Sequence, residues 1–152
     1  GNEASVKVVY YLEAGNSFSM DYTILASGAL KVLCRFGSCP EGTPGLPRIG
    51  LRFRIPAEYS NAGWYGRGPE ENYVDRKAGT LIGCYGADVR DLYYPYVRPQ
   101  ENGHHTDVRR LSLSAKKHGL TITSDIPFEF NALRNSIEDF DTEGFVRPQS
   151  HV

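Results

Sequence analysis

Apolar residues that alternate with polar ones over short runs are the feature that most constrains this chain. The run SVKVVYYLE places Val6, Val8, Tyr10 and Leu12 on one face of an extended chain. Further runs of this kind are FSMDYTIL, ALKVLCRF, LRFRI, RRLSLSA, LTITS and FEFNAL. No long run has the 3.6-residue period of a helix, so the pattern predicts the all-β class, with two packed antiparallel sheets forming a β-sandwich.

Glycine and proline mark where the predicted strands end. Ser27 and Gly28 predict the turn of a hairpin, and LRFRI predicts a strand with Leu51, Phe53 and Ile55 facing inward. The stretch CPEGTPGLP, residues 39–47, is expected to be a rigid loop, since strands are predicted on both sides of it. These features predict a single domain over residues 1–152.

Charge and cysteine usage exclude several classes of partner. The chain has 17 basic and 18 acidic residues, so we expect neither nucleic acid nor an anionic membrane as a partner. Cys34 is expected to be a small buried residue on its strand. No second pair of ligands accompanies Cys34 and Cys39, which argues against zinc, while a disulfide between them would need an oxidising compartment.

Two stretches interrupt the strand rhythm. The stretch GPEENYVDRKAG, residues 68–79, predicts a short self-capped helix, because Pro69 suits a first helical position and Gly79 suits an end. Residues 93–110 predict a long ordered loop, since Pro95 and Pro99 prevent a regular central strand.

These two stretches also carry a family signature. WYGRGPEENYVDRKAG and YYPYVRPQENGHHTDVRRLSL closely resemble the C-terminal domain, or small chain, of β-galactosidases of glycoside hydrolase family 2. YTILASGALKV, LPRIGLRF and PFEFNALRNSIEDFD fit the same family. The resemblance implies a galactose-mutarotase-like supersandwich that is a C-terminal fragment of a larger, bacterial, multidomain enzyme in the cytoplasm or periplasm.

The resemblance places catalysis outside this chain. Two glutamates on a separate TIM barrel would hydrolyse terminal β-D-galactosides with retention, and such a barrel takes about 250 residues. The resemblance also implies that magnesium and sodium belong to that barrel and that this chain holds no cofactor or metal. Its implied partners are the barrel, the other domains and the galactoside substrate.

The resemblance further implies that the two loops help to shape the mouth of the active site. The residues expected at this shared, carbohydrate-binding or interdomain surface are Tyr65, Arg67, Glu70, Glu71, Asn72, Tyr73, Asp75, Gln100, Glu101 and Asn102. A free-standing carbohydrate-binding module is the alternative, with Trp64, Tyr93, Tyr94 and Tyr96 stacking on a sugar. An aldose epimerase is less favoured, because no well-spaced histidine pair is found.

Individual residues of the loops have competing interpretations. Glu70 and Glu71 adjoin each other in the predicted helix and would point apart, so a brace bonded to Arg67, Arg76 or backbone N–H groups is favoured over a catalytic pair. His104 and His105 are expected to be solvated loop histidines rather than metal ligands. Trp64 is expected to lie against the sheet.

The C-terminal end differs from the family pattern. The family continues into further strands and a sugar-contacting tryptophan, for which this chain has no counterpart. The sandwich is therefore expected to lack its last strands, to leave Phe128, Phe130 and Leu133 uncovered, and to self-associate as a homo-oligomer. Residues 142–152 are expected to be loosely ordered.

Overall fold

The computed structural model describes residues 3–12, 17–37, 42, 45, 48–98 and 100–140. Within these residues it contains seven strands, two short 3₁₀ helices and no α-helix. The chain divides into two compact units, residues 1–52 and 53–152. Both units are antiparallel sheets, so the predicted all-β class with two antiparallel sheets is confirmed. The prediction of one domain over residues 1–152 stays a prediction.

The first unit is a three-stranded antiparallel sheet. Its strands are β1 (Glu3–Tyr11), β2 (Ser17–Leu25) and β3 (Leu30–Phe36), in the order β1-β2-β3. The predicted hairpin is confirmed, since the N–H of Gly28 donates to Leu25 O. The backbone φ of Gly28 is 86°. A positive φ favours glycine because glycine has no Cβ to collide with the backbone.

The second unit is a four-stranded antiparallel sheet in the order β5-β4-β6-β7. Its strands are β4 (Asn61–Gly68), β5 (Leu81–Asp88), β6 (His104–Ser114) and β7 (Gly119–Asn131). The 3₁₀ helices are Val89–Leu92 and Ile137–Phe140. Its buried hydrophobic cluster comprises Ala62, Trp64, Val89, Leu92, Val108, Leu111, Leu113, Phe130 and Ala132. The alternation along β4 buries Trp64 and exposes Tyr65, as period-two patterning requires.

Central strands β4 and β6 lie unusually close together at one point. A Cβ on Gly66 would lie 2.7 Å from Val108 Cγ2 and 2.8 Å from Val108 Cα. Real Cβ atoms do not approach that closely. Glycine at position 66 therefore leaves room for the fully buried Val108 of the neighbouring strand. This close contact lies near the end of β4, where the first loop, residues 69–79, begins.

Several local predictions are wrong. Residues 51–55 form no strand, because no described residue pairs with them, and Leu51 and Phe53 are exposed. The predicted run LTITS and the FEFN part of FEFNAL belong to one long strand, β7, which ends at Asn131. Cys34 is an exposed free thiol rather than a buried residue, and Cys39 lies outside the described residues.

The two loops also differ from their predictions. Residues 69–79 contain no helix, and their only bridge joins Tyr73 to Arg76. The cause is tertiary, since Asn72 N–H donates to His104 O at 2.7 Å instead of to a helical carbonyl. The second loop ends at Gly103, because β6 begins at His104. His104 and His105 are therefore buried on a strand, and their prediction as solvated loop residues is wrong.

The C-terminal predictions have mixed outcomes. Phe130 is buried in the hydrophobic cluster, so the expectation that it would be uncovered is wrong, while Phe128 and Leu133 are partly buried against the same cluster. Residues 142–152 lie outside the described residues. Self-association stays a prediction.

Candidate functional site

The carboxylate of Glu71 joins the two loops, and we call its contacts the Glu71 brace. Glu71 Oε1 accepts from Arg76 Nη2 at 3.1 Å and also from the hydroxyl of Tyr96. Glu71 Oε2 accepts from the backbone N–H of Gly103 at 2.7 Å. Arg76 closes the arrangement by donating to Tyr96 Oη at 2.8 Å. Both carboxylate oxygens are thus engaged inside the chain, as the brace interpretation of Glu71 predicted.

A stack of three side chains extends from the brace to strand β7. The Arg76 guanidinium lies 4.3 Å from the centre of the Tyr73 ring, and that ring stacks on His104 at 4.9 Å. The ring nitrogens of His104 lie 2.6 Å from Asn131 Oδ1 and 2.8 Å from Glu129 Oε2. The first loop is therefore held to the sheet through aromatic and polar contacts at once.

Burial shapes the chemistry of Tyr73. Its hydroxyl is buried and has no hydrogen-bond partner among the described residues. Burial, followed by the neighbouring carboxylates of Glu71 and Glu101, raises the pKa of Tyr73 well above its usual range. The phenol therefore stays protonated and cannot act as a general base at neutral pH.

Asn72 anchors the base of the first loop. It is fully buried, and its Nδ2 donates to Glu70 O at 3.0 Å. Its Oδ1 accepts from Thr106 N at 3.0 Å and Thr106 Oγ1 at 2.6 Å. Asn102 does the same for the second loop, since its Oδ1 accepts from Tyr94 N and its Nδ2 donates to Gln100 O. Both amides are buried and engaged within the chain, so they are not available to a ligand.

A bulge in β6 directs a second carboxylate toward the first loop. The register shifts between His105 and Arg110, and Asp107 has a φ of 53° there. Asp107 Oδ2 accepts from Arg67 Nε at 2.5 Å and from Lys77 Nζ at 3.1 Å. The hydrogen bond from Arg67, followed by that from Lys77, lowers the pKa of the Asp107 carboxyl. Arg67 also donates to Thr80 O at 2.7 Å, so it links the residues just before the first loop to those just after it.

Replacing Asp107 with Asn is expected to destabilise the chain by about 1 kcal/mol at neutral pH, because the pair is partly exposed and screened. The folded carboxyl has the lower pKa, so its contribution is present above the unfolded value of about 4. That contribution is lost as pH falls through the folded pKa. Urea unfolding from neutral to acidic pH should show the difference between wild type and Asp107→Asn shrinking.

Asp125→Asn is the matched control for this measurement, since Asp125 is exposed on β7. It should leave the stability within about 0.5 kcal/mol of wild type. A constant difference between wild type and Asp107→Asn at every pH would contradict the assignment.

The remaining predicted site residues lie farther from these contacts. Tyr65 is 41% exposed, and Arg109 lies 5.6 Å from the centre of its ring. Glu70 and Asp75 are exposed, Gln100 contributes its backbone carbonyl, and Glu101 is half-buried. The structure thus places Glu71 and Tyr73 in contact with Arg76. Asn72 and Asn102 hold the bases of the two loops, and Arg67 belongs to the Asp107 contacts.

The aromatic residues do not form a flat platform. Trp64 is buried, Tyr93 stacks on Phe140, and the rings of Tyr94 and Tyr96 are tilted by 50°. A pyranose ring stacks best on exposed rings that share a plane, so this arrangement favours the brace interpretation. The tips of the two loops instead carry exposed apolar side chains at Val74, Tyr94 and Val97.

Sequence reasoning missed three participants in these contacts. Asp107, Lys77 and Glu129 are not among the residues that the sequence predicts for the site. The one local signal is a carboxylate at the start of a strand, in HHTDVRR, which marks the bulge without revealing its partners. Within the described residues no three His, Cys, Asp or Glu side chains are grouped to hold a metal ion. No helix in the described part of the chain has the length and apolar character needed to span a membrane.

The second unit is an antiparallel β-sheet whose two loops are held by hydrogen bonds within the chain, and this places it in the all-β class. Comparison with known proteins identifies the family. The family model for the β-galactosidase small chain matches residues 1–147. The β-galactosidase of Streptococcus thermophilus is 35% identical over 143 residues, which cover 90% of this chain and 14% of that protein. The β-galactosidase of Priestia megaterium is 37% identical over 74% of this chain and 11% of that protein. The β-galactosidase of Kluyveromyces lactis is 40% identical over 57% of this chain and 9% of that protein.

The chain belongs to the β-galactosidase small-chain family. It spans 14% or less of the length of these three relatives. The resemblance that the sequence motifs indicated is thereby confirmed.

Proposed function

We propose that this chain is a non-catalytic domain of a family 2 β-galactosidase that packs beside the catalytic barrel and shapes the mouth of its active site. The observation that carries the proposal is the match to the small-chain family over residues 1–147, combined with coverage of only 14% of a full β-galactosidase. In this proposal the hydrolysis of terminal β-D-galactosides, and any magnesium or sodium, belongs to the rest of the enzyme.

The geometry of the loops supports a contact surface rather than an isolated sugar site. A sugar site needs polar groups with free hydrogen-bonding capacity, but both oxygens of Glu71 and the amides of Asn72 and Asn102 are engaged within the chain. A rigid frame with exposed apolar tips is instead the arrangement found at protein–protein contacts. Val97 is 92% exposed at such a tip and Val74 is 67% exposed at another.

The chain alone is expected not to hydrolyse a chromogenic β-galactoside, because a retaining mechanism needs a free acid–nucleophile pair and Glu71 is bonded on both oxygens. Adding the chain to the catalytic portion of its parent enzyme, supplied as a separate polypeptide, should raise the turnover of that portion. The measurement is the rate of release of the chromophore with and without the chain.

Val97→Asp tests whether the loop tips carry the contact. A charge placed at the centre of an apolar contact should raise the concentration of chain needed for half-maximal activation by about tenfold or more. Ile126→Asp is the matched control, since Ile126 is 72% exposed on β7 and belongs to neither loop. Turnover by the chain alone, or equal effects of the two substitutions, would contradict the proposal.

A further inference from the structure

Asn102 and Gly103 form the only Asn–Gly step in the sequence. At such a step the backbone nitrogen of glycine can attack the side-chain carbonyl carbon of asparagine, because glycine has no side chain to obstruct the approach. The attack forms an N–C bond and a five-membered succinimide and releases the side-chain nitrogen as ammonia. Water then opens the ring to aspartate or isoaspartate.

The structure blocks each requirement of this reaction. The attacking nitrogen must lose its proton, yet the Gly103 N–H donates to the Glu71 carboxylate at 2.7 Å, where a second negative charge would be repelled. The Asn102 carboxamide must rotate toward that nitrogen, yet it is fixed by Tyr94 N–H at 2.9 Å and Gln100 O at 3.0 Å. Both residues are buried, and Asn102 is only 1% exposed to the water that the ring opening consumes.

We propose that Asn102 is a latent deamidation site that the Glu71 brace protects in the folded chain. Loss of the brace frees the Gly103 nitrogen and the carboxamide together. The product cannot reform the same loop, because isoaspartate lengthens the backbone and aspartate replaces the amide that donates to Gln100 O with a carboxylate. Asn131 Nδ2 donates to Asn102 O at 2.7 Å. In the isoaspartate form that carbonyl oxygen would move, and the hydrogen bond would be lost. Deamidation would therefore make opening of the second loop irreversible.

The test follows Asn102 by peptide mass spectrometry and isoaspartate methylation during incubation of the full chain in mildly alkaline buffer. Native wild type should convert slowly, and the same chain in denaturant should convert rapidly. Glu71→Ala should convert roughly tenfold to a hundredfold faster than native wild type, because a hydrogen bond to a charged group is lost. Glu70→Ala removes an exposed neighbouring carboxylate and should match wild type.

Leu113→Ala separates local loss of the brace from general unfolding, since Leu113 is buried in the hydrophobic cluster of the same unit. It should lower the stability of the unit while leaving the conversion of Asn102 much slower than in Glu71→Ala. If Glu71→Ala shows no cooperative melt, Glu71→Gln carries the comparison, because it keeps the shape and removes the charge. Three results would overturn the proposal: native conversion as fast as denatured, no acceleration without the Glu71 carboxylate, or equal acceleration in Leu113→Ala.

Discussion

Trp64→Ala is expected to lower the free energy of unfolding by about 3–5 kcal/mol, a large share of the stability of a small unit. Trp64 is only 3% exposed, and its ring contacts His105 at 4.5 Å, Tyr85 at 5.7 Å and Phe130 at 5.8 Å between centroids. Its Nε1–H donates to Arg67 O at 2.9 Å. The substitution therefore removes core packing and also frees the carbonyl of a residue that holds the first loop.

Chemical denaturation monitored by circular dichroism measures this loss. Tyr65→Ala is the matched control, since Tyr65 is the next residue on the same strand and faces the opposite side. It is expected to cost about 1 kcal/mol or less, because Tyr65 is 41% exposed and lies outside the hydrophobic cluster. Equal stabilities of wild type and Trp64→Ala would show that the indole does not support the core.

Gly103→Ala is expected to cost about 2–5 kcal/mol, from the strain of a positive φ together with overpacking. Gly103 has a φ of 68°, and a Cβ there would lie 2.4 Å from Leu92 O and 2.9 Å from Leu133 Cδ2. A backbone carbonyl cannot move aside as a flexible side chain could. The substitution should also displace the N–H that donates to Glu71 and so loosen both loops.

Gly28→Ala separates the two costs in a thermal or urea melt. Gly28 has a φ of 86°, and a Cβ there would meet no atom within 4 Å, so only the conformational strain of about 1–2 kcal/mol applies. A cost for Gly103→Ala that does not exceed that for Gly28→Ala would show that the contact with Leu92 relaxes freely.

The strands that the sequence predicts well are those whose alternation is supported by a neighbour. The runs of β1, β2 and β3 pair in register over most of their length, and the hairpin at Gly28 follows from its turn residues. Residues 51–55 have the same alternation but no partner strand among the described residues. Alternation reports that a segment can be a strand, whereas pairing depends on contacts distant in sequence.

The site is less predictable for the same reason. Local signals in residues 69–79 favour a helix, but hydrogen bonds from Asn72 to His104 and from Gly103 to Glu71 override them. The resemblance to the small-chain family directed the prediction to these two loops, and the engagement of Glu71 follows the brace interpretation. The burial of His104 and His105 could not be inferred, because it depends on where β6 begins.

The irregularity at Asp107 has a consequence for the phase of β6. In a regular strand, neighbours face opposite sides, yet His104, His105 and Thr106 are all buried, and Val108, Leu111 and Leu113 follow with a shifted alternation. One extra residue between His105 and Val108 lets both side chains face the hydrophobic cluster, where His105 contacts Trp64 and Phe130. Deleting position 107 would still leave these two residues on one face of a regular strand, but it would remove the carboxylate that accepts from Arg67 and Lys77. The extra residue therefore serves the first loop without disturbing the phase of the core-facing residues.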